Sequence, residues 1–154
     1  MSSQGAIGRE KAAPLLLMAS GAVVMGIGLY FVFLRPALLP EDVRFIGGTM
    51  ESIRSGLPGL ASWLGKVFTV MGGYIFAAGL LTAYVALNLL RAPRPEGWLV
   101  ALLAGLSSIG VMSAVNFVID SDFKWPLFGV ALLWASSLLL HVLSSFIRVS
   151  SKGN

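Results

Sequence analysis

The chain has 154 residues, 56% of them hydrophobic and 12% charged, with a net charge of +4. Soluble domains carry about 25% charged residues, so a water-soluble monomer is excluded, and the apolar content excludes a disordered chain. With no cysteine and a single histidine, disulfides, thiolate metal sites, cysteine nucleophiles and multi-imidazole metal centres are excluded as well.

Every charged residue falls outside four windows. These are 12–34, 67–90, 97–119 and 125–147, with 23, 24, 23 and 23 uncharged residues. At ~1.5 Å rise per residue, each window crosses the ~30 Å hydrocarbon core once as a helix. A charge at the centre of a span costs ~3 kcal/mol on insertion scales, and four windows avoid it. Lipid leaves unpaired backbone groups no partner, so helix is the state expected of each window. The windows lack the short alternating segments of a transmembrane barrel. The predicted fold is all-α: a four-helix transmembrane bundle forming a single integral membrane domain over 1–154.

The first span is read as a retained helix. Its apolar stretch exceeds the ~7–15 residues of a signal peptide, and no small-x-small cleavage site follows. Arg35-Pro36 stops it at the interface. The next segment, 36–65, is too long for a plain connector. Pro40, Glu41 and Asp42 have the chemistry of a helix start. Val43, Ile46, Met50, Ile53 and Leu57 then recur at spacings of three and four. That pattern predicts a short amphipathic helix over 40–56, lying on the membrane surface or on top of the bundle. Gly47-Gly48 weakens it by about 1 kcal/mol per glycine and is the point at which it could break. Leu60–Gly65 is read as the start of the second span.

The remaining connections are short. Two prolines in 91–96 forbid helix continuation. The turn at 120–126 is as tight, so spans two and three, and three and four, are expected to be antiparallel neighbours. Trp63, Trp98 and Trp125 mark span edges, where indole rings favour the headgroup level; Trp134 lies inside the fourth span. No internal repeat supports an inverted-repeat transporter.

Four spans place both termini on one side. Arg9, Lys11, Arg91, Arg94, Arg148 and Lys152 lie there in short segments beside the spans. Most of the opposing basic residues spread along the long first loop. The positive-inside rule then predicts both termini in the cytoplasm. The basic balance, with pI ≈ 9.9, is expected to meet anionic lipid. No basic run or patch points to nucleic acid.

Three polar constellations could carry chemistry. Asp120, Asp122, Glu41 and Asp42 fall at one end of the bundle, with Asn116 one turn inside Asp120. Their oxygens suit a hard cation. The alternative is pairing with Arg35, Arg44 and Lys124, because the spacing lacks the glycine and distal glutamate of a calcium loop. At the other end, His141 forms a stripe with Ser137, Ser144 and Arg148, and Tyr84 of span two, in a stripe with Gly73, Ala77 and Asn88, lies at a similar depth. Tyr84, Asn88 and His141 could line a pocket for a quinone carbonyl or lipid headgroup, or pass a proton. The structural alternative is a neutral histidine bonded between helices. In span three, Ala101, Gly105, Ser108, Met112, Ser113 and Asn116 form one face, read as a close-packing surface. No phosphate loop, hydrolase elbow, zinc-protease or dinucleotide motif is present.

Residues 34–48 (LRPALLPEDVRFIGG) and 115–125 (VNFVIDSDFKW) resemble small bacterial four-span membrane proteins of uncharacterised function. The resemblance implies the same four-span layout and a bacterial inner membrane, and no activity or site residue.

The expectation is a non-catalytic membrane protein without cofactor or metal. It is read as an accessory subunit of a larger complex, with a membrane-protein partner or a second copy of the chain. The alternative is a binder or transporter of a small lipophilic molecule, quinone or lipid.

Overall fold

A computed structural model describes residues 3–92 and 94–152, and side chains over 11–92 and 94–146. Pro93 and the side chains of Arg9, Arg148 and Lys152 lie outside these. The described residues are helical or in short turns. Helices α1 (Ser3–Phe33), α2 (Pro40–Ile46), α3 (Met50–Gly56), α4 (Leu60–Arg91), α5 (Pro95–Gly105), α6 (Val111–Val118) and α7 (Lys124–Lys152) follow in order, with one wide π turn at Leu106–Gly110 between α5 and α6. Four helical stretches, Lys11–Phe33, Leu60–Arg91, Pro95–Val118 and Lys124–Phe146, are long and apolar enough to cross a membrane. The protein is an integral membrane four-helix bundle.

Helix α1 is the centre of the bundle. It packs along α4 on one side and α7 on the other, while α4 and α7 share no packed interface. The α1–α4 seam is built on glycines spaced seven apart. Gly21 opposes Gly79 and Gly28 opposes Gly72. A methyl group added at Gly21 would sit 2.8 Å from the Gly79 carbonyl oxygen, and one at Gly72 would sit 2.7 Å from that of Gly28. The two backbones therefore touch, which no larger residue permits. This contact suits lipid, where apolar side chains gain nothing by leaving their surroundings and close van der Waals packing drives association. Leu17, Val24, Ile75 and Ala86 fill the seam between and beyond the glycines.

Along α7 the buried positions are Trp134, Ser137 and Ser144, at intervals of three and seven. The serines are small and return their hydroxyls to their own helix. Ser137 Oγ donates to the Trp134 carbonyl at 2.7 Å, and Ser144 Oγ to the His141 carbonyl at 2.8 Å. They present little volume and no unspent donor to their neighbours. Ser20 of α1, 1% exposed, is buried in the same core.

The third span departs from a straight helix. Beyond Trp98, its buried positions are Ala101, Gly105, Ile109 and Ser113. Residues four apart drift by ~40° per step on an α-helix, or ~120° over these three steps. The π turn absorbs one extra residue: the Val111 amide donates to the Leu106 carbonyl, five residues back. That keeps the four positions in line. Trp134 is seated there. Its Nε1–H donates to the Ala101 carbonyl at 3.0 Å, and any Cβ at Gly105 would strike the indole. An indole within lipid must satisfy its N–H, which explains the tryptophan that lies away from any span edge.

The first loop forms two helices where one was expected. Gly47 adopts φ 78, the left-handed conformation, and ends α2. Thr49 then caps α3 by accepting from the Ser52 amide at 3.1 Å. A single apolar stripe over 40–56 is thereby broken, and Ile46 and Leu57 are both exposed. The reason is local: a left-handed glycine redirects the chain before the second half of the stripe.

Candidate functional site

The acidic cluster at the end opposite the termini is an electrostatic clasp. Asp42 Oδ2 accepts from the Leu39 amide at 2.8 Å and pairs with Arg35 at 3.2 Å. The Arg35 guanidinium lies 3.5 Å from the centroid of Phe68 and 5.2 Å from that of Phe31. Aromatic faces and a carboxylate thus hold this cation at the interface. Arg44 donates to the Asp120 carbonyl at 2.8 Å and pairs with Asp122 at 3.3 Å. Lys124 pairs with Asp120 one turn away. That bond and charge, with a smaller contribution from Arg44, hold the Asp120 carboxyl below its usual value, against a small opposing effect of burial. Asp120 itself takes φ 51 at the turn. Glu41 is buried and accepts from Ser121 Oγ at 3.3 Å.

All four acids of the proposed cation site are therefore engaged by Arg35, Arg44, Lys124 or Ser121. Among the described residues, no group of three or more His, Asp or Glu is arranged to hold a metal ion. The pairing alternative describes this cluster. Its work is to tie α2 to the turn between α6 and α7.

The pocket expected from Tyr84, Asn88 and His141 is not assembled. Tyr84 and Asn88 lie on α4 and His141 on α7, and α1 separates these helices. Tyr84 is 63% exposed. Asn88 Nδ2 donates to the Tyr84 carbonyl at 2.8 Å and lines a 250 Å³ hollow with Leu89, Arg94 and Glu96. Neither Tyr84 nor His141 lines it. His141 stacks on Trp98, ring centroids 4.1 Å apart and planes 15° apart. Trp98, near the start of the third span, is thus 7% exposed and packs against His141. Which helices are neighbours could not be read from the sequence, because it depends on where the glycine seam runs.

The larger cavity lies in the other half of the membrane. At the terminal end α4 and α5 meet, Leu89 packing against Gly97. Towards the far end α4 leaves the third span, and α4 and α6 share no packed interface. The gap is a lateral cleft of 790 Å³, floored by Val24 and Phe31 of α1. Met71 and Tyr74 wall it on α4; Ser108, Met112 and Asn116 wall it on the third span. Its volume lies within the ~300–1,000 Å³ of small-molecule sites.

The π turn creates this wall. The sequence places Ala101, Gly105, Ser108, Met112, Ser113 and Asn116 on one packing face. The structure divides that face. Ala101, Gly105 and Ser113 pack inward, Ile109 is buried but also reaches the cleft, and Ser108, Met112 and Asn116 turn to it. π turns recur at functional sites for this reason: an inserted residue re-aims the side chains beyond it. The flanking glycines in Gly105-Leu-Ser-Ser-Ile-Gly110 were the available signal. Tyr74 was missed because a lone tyrosine on an apolar helix carries no pattern.

Compared with protein-family models, curated proteins and solved structures, the chain matches none.

Proposed function

We propose that this chain is a non-catalytic membrane protein that holds a small lipophilic molecule in the cleft between α4 and the third span. The observation that carries the reading is the cleft's lining. The α1–α4, α4–α5 and α5–α7 contacts are each made on glycine, at Gly21–Gly79, Gly28–Gly72, Gly97–Leu89 and Gly105–Trp134. The cleft contains no glycine and is walled by Val, Met, Phe and Tyr. Small residues favour helix docking, whereas flexible thioethers and aromatic rings adapt to a small ligand. A second reading, an accessory subunit of a larger complex, is favoured by the outward face of α4. Gly73 has nothing within 4 Å of its Cβ position, and Ala77 beside it is exposed.

The test is native mass spectrometry of the protein extracted in mild detergent. The unmodified chain is expected to carry a bound lipophilic species, which Val70→Trp and Ala78→Trp displace by filling the cleft. An empty unmodified chain, or variants that keep the ligand, would defeat the reading. A copurifying protein chain lost with Gly73→Trp or Ala77→Trp would instead support the accessory role.

The proposed setting is a bacterial inner membrane with both termini in the cytoplasm. The support is the six basic residues of the terminal side, Arg9, Lys11, Arg91, Arg94, Arg148 and Lys152, held in short segments beside the spans, against five on the opposite side, most of them spread along the first loop. A cysteine introduced at Ser3 is expected to resist an impermeant thiol reagent in intact cells, and one at Ser55 to react. The reverse pattern would invert the topology.

A further inference from the structure

We infer that the occupant of the cleft is a neutral quinone carried on a hydrocarbon tail, an inference that rests on the cleft being a ligand site. The argument is electrostatic complementarity. No residue lining the cleft carries a charge, so a charged headgroup finds no counter-ion there. What the cleft does present is a short set of polar groups. Ser107 Oγ donates to the Leu103 carbonyl at 2.8 Å and Ser108 Oγ to that of Ala104 at 2.5 Å. Their protons are spent. Asn116 Nδ2 gives one proton to the Met112 carbonyl at 2.9 Å, which leaves its second N–H. Tyr74, which walls the cleft, carries the other donor in its hydroxyl. The cleft therefore offers two unspent donors in an apolar wall, a match for a ligand with two acceptors and no charge.

Depth narrows the class. Asn116 lies four residues inside Asp120, ~6 Å at helical rise, and Tyr74 lies eight residues inside Lys66, ~12 Å. Both donors are below the charged boundary, at different levels. A glycerophospholipid would have to draw its phosphate in with its ester carbonyls. A quinone ring lies within hydrocarbon and carries its two carbonyls on opposite edges. Phe31, Met71 and Met112 supply ring and thioether contacts for such a ring. Val24 and Ile75, which also line the cleft, offer the tail an apolar surface. The Asn116 Oδ1 and Tyr74 oxygen can accept from a quinol's hydroxyls, so either oxidation state is held without change of charge.

The test is equilibrium binding of a radiolabelled decyl-substituted benzoquinone to the full chain in phosphatidylcholine nanodiscs, against empty discs. Saturable one-to-one binding is expected. Tyr74→Phe and Asn116→Leu should each weaken it about fivefold, the effect of one net hydrogen bond, and Tyr84→Phe should leave it unchanged. Tyr74 is 75% exposed, so its phenylalanine variant is not expected to disturb folding. Decyl alcohol should compete poorly. If decyl alcohol competes as well as the quinone, or Tyr74→Phe binds normally, the quinone assignment is overturned. Saturable alcohol binding that Val70→Trp abolishes would still leave the cleft a ligand site. No saturable binding of either compound overturns both.

Discussion

Gly28→Leu is expected to lower the stability of the bundle by about 3 kcal/mol, the upper part of the range for overpacking a tight contact. Gly26→Leu, two residues away, should change it by less than about 0.5 kcal/mol. A Cβ at Gly28 would lie 2.8 Å from the Gly72 carbonyl oxygen, and the chain at Phe76 is nearer still. The obstacle is backbone, which cannot rotate aside. At Gly26 a Cβ meets nothing within 4 Å. The two substitutions share a helix and a chemical change, and they differ only in what they face. SDS unfolding in mixed micelles, followed by helical circular dichroism, reads the difference. Equal effects at the two positions would mean that α1 and α4 are not joined through this seam. Gly79→Leu should behave like Gly28→Leu, because its Cβ would lie 2.7 Å from the Gly21 carbonyl oxygen.

Trp134→Ala is expected to cost about 3 kcal/mol, near the low end for removing a large buried aromatic. The low end applies because the unfolded helices already keep the side chain in lipid, so no transfer from water is lost. What is lost is the contact with Gly105 and the hydrogen bond to the Ala101 carbonyl. Trp134→Phe separates the two. It retains much of the ring volume and removes the donor, at a cost of about 1 kcal/mol. The same unfolding measurement applies. Phenylalanine as damaging as alanine would assign the whole effect to the N–H, against the packing account. The seat of Trp134 also borders the π turn at Leu106–Gly110. Loss of the indole is therefore expected to disturb the cleft wall formed by Ser108, Met112 and Asn116.

The clasp at the far end should be less consequential than its count of ion pairs suggests. Arg44 and Asp122 are mostly exposed, with side chains 52% and 66% accessible, and such pairs contribute about 0–1 kcal/mol. Arg35 differs, because Phe68 and Asp42 shelter it from water.

Four spans were legible in one dimension because charge is expensive in hydrocarbon and the cost depends on local sequence alone. Gly47-Gly48 marked where the single helix expected over 40–56 could break, and the left-handed φ of Gly47 decided that it does. Pairing of Arg35, Arg44 and Lys124 with the acids was also among the readings that residue types allowed. The site at Tyr84, Asn88 and His141 was beyond that reach. Helical rise gives depth, yet facing requires knowing the neighbour. The neighbours follow from Gly21, Gly28, Gly72 and Gly79 meeting in antiparallel register, a match between positions up to 58 residues apart in the chain. Nor could span three's single stripe be divided in advance. Ala101 and Gly105 point inward and Asn116 outward because one extra residue enters a helical turn beneath Trp134. Lipid dictates which segments cross, since it acts on each residue separately. Close packing selects which helices touch and which stand apart, since it acts only on pairs, and the cleft exists where α4 and α6 find no surface that brings their backbones together.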